Sequence, residues 1–239
     1  MLMSEQALVA VGGTGSRLRA GGIYVPGEKS FIEIEGKPVL HWSLQSMAKG
    51  GIKRVVLTGE KDDALEKAES VIEALPVSFD EVIYHKNPGL GVHGLPYQAA
   101  DMLDDSFFFE AGHNLSLPSQ YQNMRLAKQS GNIVLSAFRI HESNERQPVQ
   151  FSGNDVIMGR GPNDENTWAL SHPFLLDCEY INRLPELDYE INSILEYHST
   201  RKKIKWVHSD MPPEFDTPEE YSRSLPIYSS IIHSLLELG

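Results

Sequence analysis

The amino-acid sequence predicts an α/β fold, a mixed, mostly parallel central sheet flanked by helices. Three observations lead there. Short apolar runs of strand length alternate with segments of helical period over residues 1–137. The first run, Ala7–Val11, leads into the glycine-rich stretch Gly12–Leu18. Past residue 137 the alternation gives way to closely spaced extended runs, two of which flank Gly153-Asn154, a two-residue hairpin turn.

The elements follow in order. After the strand Ala7–Val11, Pro38 opens a helix that runs to the Gly50-Gly51 stop, with Leu40, Leu44, Met47 and Ala48 as its apolar stripe. Arg54–Thr58 reads as the second strand, Ala64–Leu75 as a helix and Glu81–Tyr84 as the third strand. Pro96–Leu103 reads as helical and Phe107–Phe109 as a core strand. Pro118 opens a helix ending near Gly131, and Ile133–Ala137 is a strand. Val149–Ser152 and Asp155–Met158 form the hairpin, and Trp168–Leu170 and Phe174–Leu176 are further extended runs. Ile140–Pro148 and Gly159–Asn166 are polar and read as loops over a site. Pro226–Leu238 places Ile227, Ile231, Ile232, Leu235 and Leu236 at helical spacing. This is a helix closing the core, with a homodimer contact as the alternative. Neither a repeat nor a linker interrupts the 239 residues, so a single domain is expected, with halves 1–137 and 138–239.

Composition excludes several classes. The formal charge of −12 argues against non-specific nucleic-acid binding. The single cysteine, Cys178, rules out an intrachain disulfide framework and reads as a small buried side chain. The first charged residue is Glu5, the Ala7–Val11 run is too short for a signal core, and no apolar run reaches membrane-spanning length. A soluble, cytoplasmic protein without a membrane or nucleic-acid partner is expected.

The glycine-rich stretch carries the chemistry. A loop that wraps phosphate turns its amides inward and lets the backbone approach the ligand, which glycine permits. Arg17 can grip phosphate oxygens in a bidentate manner, and Lys29 can neutralise charge on a transferring phosphoryl group. A glycine turn with two solvated cations is the plainer alternative. The strand ahead and the two cations behind favour phosphate binding. Two commoner motifs fit worse. The dinucleotide fingerprint would need glycine at Leu18, and in Gly27-Glu28-Lys29-Ser30 a glutamate separates the glycine from the lysine of a P-loop.

Taken in order, Gly12, Gly13, Gly15, Arg17, Leu18, Lys29, Gly36, Lys37, Pro38 and Leu40 resemble the signature of the sugar-phosphate nucleotidyltransferases. Leu90-Gly91-Val92-His93-Gly94 is similar to that family's nucleoside loop, Phe107–Gly112 to its central strand, and Phe215–Tyr221 to its closing Asp-Thr-Pro-Glu segment. The resemblance implies a nucleotide-diphospho-sugar transferase (Rossmann-like) architecture. It further implies transfer of a nucleoside monophosphate from a nucleoside triphosphate to a sugar 1-phosphate, with pyrophosphate released. The nucleotide-binding set it implies is Val11, Gly12, Gly13, Thr14, Gly15, Ser16, Lys86 and Gly91, with Arg17 and Lys29 catalytic. Lys86 stands where many relatives place a base-reading glutamine. Magnesium, or manganese, is the implied cofactor, with Glu214 and Asp216 as its candidate ligands.

The sequence departs from the family pattern at its central strand. Relatives end that strand in Gly-Asp and bind magnesium there, whereas this chain has Gly112-His113. Magnesium prefers hard oxygen ligands, so His113 is expected to touch substrate, to favour another metal, or to mark a binding relative without turnover. The remaining histidines show no compact zinc-ligand spacing. Asp216 has a second reading: Asp216 or Thr217 can cap the helix that Pro218 opens. A nucleotide-sugar glycosyltransferase is the weaker alternative, because no Asp-x-Asp follows a strand.

Overall fold

The computed structural model describes residues 4–87, 89, 91–129, 132–139, 148–152, 155–158, 168–187, 204–209 and 216–237. Strand β1 (Gln6–Ala10) lies between β4 (Arg54–Gly59) and β6 (Ser106–Ala111), parallel to both. Strand β5 (Glu81–Lys86) pairs parallel with β4. Strand β10 (Trp168–Asp177) pairs antiparallel with β6 and with β7 (Ile133–Arg139), and β11 (Ile204–His208) pairs parallel with β7. The order is β11-β7-β10-β6-β1-β4-β5, in which only β10 runs against the others. A mixed, mostly parallel sheet flanked by helices is the fold the sequence predicts.

The central strand is apolar from Ala7 onward because both of its faces are covered. Leu8 and Ala10 join one core, with Phe107, Phe109 and Leu95. Ala7, Val9 and Val11 join the other, with Leu40, Leu44, Phe108 and Tyr121. Helices α2 (Val39–Lys49), α3 (Asp62–Glu73) and α5 (Pro118–Ala127) pack on this second face. Helix α4 (Gly91–Gln98) supplies Leu95 to the first face, and α6 (Cys178–Arg183) lies on the same side. The β1-to-β4 crossover thus carries α2 on the second face, and the β5-to-β6 crossover carries α4 on the first. That places a crevice at the carboxyl ends of β1, β4 and β6.

Several boundaries differ from expectation. Helix α4 begins at Gly91, five residues before Pro96, so that proline lies inside the helix rather than opening it. The last helix, α7 (Pro218–Glu237), likewise runs through Pro226 without a break. The two runs around His172-Pro173 are one strand, β10. A short hairpin, β2 (Glu33–Ile34) with β3 (Lys37–Pro38), occupies the segment before α2. The expected hairpin of β8 (Pro148–Ser152) and β9 (Asp155–Met158) is present, with Val149 opposite Met158 and Ser152 opposite Asp155. Its turn and the loops 140–147 and 159–166 lie outside the described residues.

Helix α7 closes a third core. Its Tyr228, Ile232 and Leu235 are buried against Leu18, Val25, Ile34, Val39 and Trp42. A capping box starts it: Thr217 Oγ1 accepts from Glu220 N–H at 3.2 Å, and Glu220 Oε2 accepts from Thr217 N–H at 3.1 Å. Thr217 therefore does the capping, and the Asp216 carboxylate is left for another partner.

Candidate active site

The crevice is a cleft of about 500 Å³ at the carboxyl ends of β1, β4 and β6. Its floor is the glycine loop. Val11 N–H donates to Thr58 O at 2.7 Å, tying the loop's start to β4. Gly13 and Gly15 both have positive φ, at +90° and +61°, which side-chain-bearing residues rarely adopt. Gly13 is doubly constrained, because a Cβ there would lie 3.0 Å from Lys29 Cε. Lys29 N–H donates to Gly13 O at 2.8 Å, so the lysine lies directly over the loop.

Lys29 is buried, and its Nζ is hydrogen-bonded to Asp216 Oδ1. Burial alone raises the Asp216 pKa. The charge and hydrogen bond of Lys29, with His113 and Arg17 behind them, outweigh it and leave the carboxyl below its ordinary value. Burial and then the Lys29 ammonium hold the His113 imidazole well below its usual pKa, so the ring is neutral at neutral pH. Its backbone carbonyl accepts from the buried Tyr228 hydroxyl at 2.6 Å. His172 faces the same cleft from β10. It donates from Nδ1 to Phe109 O at 3.1 Å and stacks on Phe174 at 4.6 Å between ring centres.

Of the expected residues, Val11, Gly12, Gly13, Thr14, Lys29, Gly91, His113 and Asp216 line this one cleft. Gly15, Ser16 and Arg17 continue the loop into the short helix α1 (Ser16–Ala20), where Arg17 is exposed yet close enough to act on Asp216. Lys86 lies outside the lining: it is exposed and bonds Asp62 at 2.6 Å. Its neighbour Asn87, which is buried, lines the cleft instead. Glu214 lies outside the described residues. Sequence reasoning missed Asn87, Asn114 and His172, whose motifs carry no signal because the fold brings them in from β5, β6 and β10.

The implied magnesium requires several hard oxygen donors. Asp216 offers one carboxylate, already bonded to Lys29, and His113 offers nitrogen. No group of three His, Cys, Asp or Glu side chains suited to a metal occurs among the described residues. Those residues do not by themselves make a magnesium site.

The fold and the glycine-loop cleft define a protein built like the sugar-phosphate nucleotidyltransferases. No family model matches the chain. One curated relative, the mannose-1-phosphate guanylyltransferase catalytic subunit beta of Danio rerio, is 29% identical over 155 residues, covering 62% of this chain. The chain spans 42% of that relative's length. The inositol-1-phosphate CTP transferase of T. maritima superposes with a TM-score of 0.74 at 19% identity, over 96% of this chain and 97% of its own. HddC of Yersinia pseudotuberculosis, in complex with GMP-PN, superposes with a TM-score of 0.72 at 17% identity, over 94% and 99%. These matches bear out the family resemblance and the architecture that the sequence implies.

Proposed function

We propose that the chain transfers a nucleoside monophosphate from a nucleoside triphosphate to a sugar 1-phosphate or a similar phosphate. The observation that carries this is Lys29, buried over a positive-φ glycine loop in the crevice of a nucleotidyltransferase fold. An oxygen of the acceptor phosphate attacks the α-phosphorus, the bond to the bridging oxygen of the β-phosphate breaks, and pyrophosphate leaves. Such transfer depends on alignment and charge neutralisation. The loop from Gly12 to Ser16 holds the triphosphate, Arg17 holds its β- and γ-phosphates, and Lys29 offsets charge developing at the α-phosphate. His113, being neutral, can hydrogen-bond substrate without adding charge.

Residues 1–137 bind the nucleotide, and 138–239 contribute the acceptor side and α7. The relative named for guanylyl transfer to mannose 1-phosphate supports the reaction class. Work in the cytoplasm with small phosphorylated substrates agrees with the single cysteine. Among the described residues no helix is long and apolar enough to cross a membrane. A homodimer would rest on α7, but Tyr228, Ile232 and Leu235 are already spent on the chain's own core.

The test is pyrophosphate release from a panel of triphosphates and sugar 1-phosphates, with magnesium or manganese supplied. Turnover with one pair and its loss in Lys29→Ala are expected. Tight nucleotide binding without turnover on any acceptor would instead support the binding relative that His113 suggests.

A further inference from the structure

Three lysines at or beside the cleft are each neutralised by a carboxylate, and one further carboxylate, Glu60, is not paired among the described residues. Lys29 is bonded to Asp216, Lys61 to Glu28 at 2.7 Å, and Lys86, just outside the lining, to Asp62 at 2.6 Å. Glu60 lines the cleft where the chain leaves β4. Its carboxylate is exposed and makes no hydrogen bond or ion pair among the described residues. A carboxylate beside a triphosphate would repel it, so Glu60 suits the part of the ligand that carries N–H groups rather than phosphate.

Asn87 completes that end. Its backbone N–H donates to Gly59 O at 2.9 Å, which fixes it beside Glu60 on the neighbouring strand end. Its Oδ1 accepts from Gly89 N–H at 2.8 Å. A backbone N–H needs an acceptor, so this contact sets the amide orientation and leaves the NH₂ group as the ligand-facing end. The cleft thus presents a two-oxygen acceptor next to a donor.

We infer that Glu60 and Asn87 read the nucleobase and select guanine, an inference that rests on the triphosphate-binding reading above. Guanine alone among the common bases offers two adjacent donors, N1–H and the N2 amine, next to an acceptor, O6. The donors match both oxygens of Glu60, and O6 matches the Asn87 amine. Uracil and thymine place carbonyls on both sides of their one N–H and would meet the carboxylate with repulsion. Cytosine and adenine offer one donor, the exocyclic amine, beside a ring-nitrogen acceptor, and so engage only one of the two Glu60 oxygens.

The experiment is calorimetric titration of the intact chain with GTP, inosine triphosphate, CTP, ATP and UTP at one ionic strength. Inosine triphosphate differs from GTP only in lacking the N2 amine. GTP is expected to bind tightest, about 10-fold or more ahead of inosine triphosphate. Glu60→Gln should close that gap. Removing its negative charge strengthens every triphosphate alike, so the ratio is the readout. Asn87→Asp keeps an oxygen for Gly89 N–H and replaces the donor with an acceptor, and should weaken GTP by about 10- to 100-fold. Another base binding tightest, or an unchanged GTP-to-inosine ratio in Glu60→Gln, overturns the inference and leaves the triphosphate reading in place. No binding of any triphosphate overturns both.

Discussion

Within one cleft, Lys29 over the glycine loop is buried and bonded to Asp216, whereas Glu60 past β4 stands exposed with no partner among the described residues. The difference follows from solvation. A buried ammonium must be paired, because stripping its water without compensation costs several kcal/mol or more. An exposed carboxylate keeps its water and needs no partner. The charge of Lys29 is therefore held in balance by Asp216, while under the proposed function Glu60 keeps a charge ready to discriminate. Under the proposed function, strength of binding and choice of ligand fall to different residues of a single cleft.

Lys29→Ala tests the first half of that separation and should have the largest effect. Losing one preorganised cation at a developing phosphoryl charge costs about 10²- to 10³-fold in turnover. The loss should be the same for every nucleotide, as measured by steady-state pyrophosphate release. A change in base preference would break the distinction between the two ends.

Tyr228→Phe acts on the turn that carries His113. It removes the hydroxyl that satisfies His113 O and should cost about 1–2 kcal/mol in denaturant unfolding. Nucleotide ratios should stay unchanged, because the proposed base readers are Glu60 and Asn87 rather than His113.

His41 has no bearing on ligand choice and serves as a control outside the cleft. Burial, and then Lys37, lower its pKa from 6.5 to about 4. The unfolded chain therefore binds a proton that the folded chain refuses as pH falls below 6.5. Stability should drop across the window from 6.5 to about 4, by on the order of 1–3 kcal/mol. His41→Gln should flatten part of that slope, and His113, lowered in the same sense, should account for a remainder. Ligand preference should not change.

The sequence makes the sheet legible because its strands are covered on both faces and read as unbroken apolar runs, as in Phe107–Phe109 and Val55–Leu57. The glycine loop is legible because positive φ at Gly13 and Gly15 demands the residue type. Helix starts were harder. Pro96 and Pro226 look like first helical residues, yet each lies within a helix that begins earlier. The Lys29–Asp216 bond spans 187 positions, and the Tyr228–His113 bond spans 115. No local pattern encodes such contacts. That Asn87 rather than Lys86 lines the cleft has the same origin: adjacent residues of extended chain face opposite ways, and a one-residue offset decides which enters the cleft.

Helix α7 also bears on the order of assembly. It begins at Pro218, which packs so closely on Gly21 that a Cβ there would meet Pro218 Cγ at 2.1 Å. It is preceded by the partner of Lys29, passes the Tyr228 bond to the His113 turn, and ends near Leu235, whose carbonyl accepts from Lys49 Nζ at 2.7 Å. A growing polypeptide that has emerged only through β11 already holds its glycine loop and most of its sheet, yet lacks the carboxylate that balances the loop's lysine. Translation thus lays down the cradle early and delivers its counter-charge 187 residues after Lys29, so a nascent chain that has emerged only through β11 cannot present the finished cleft.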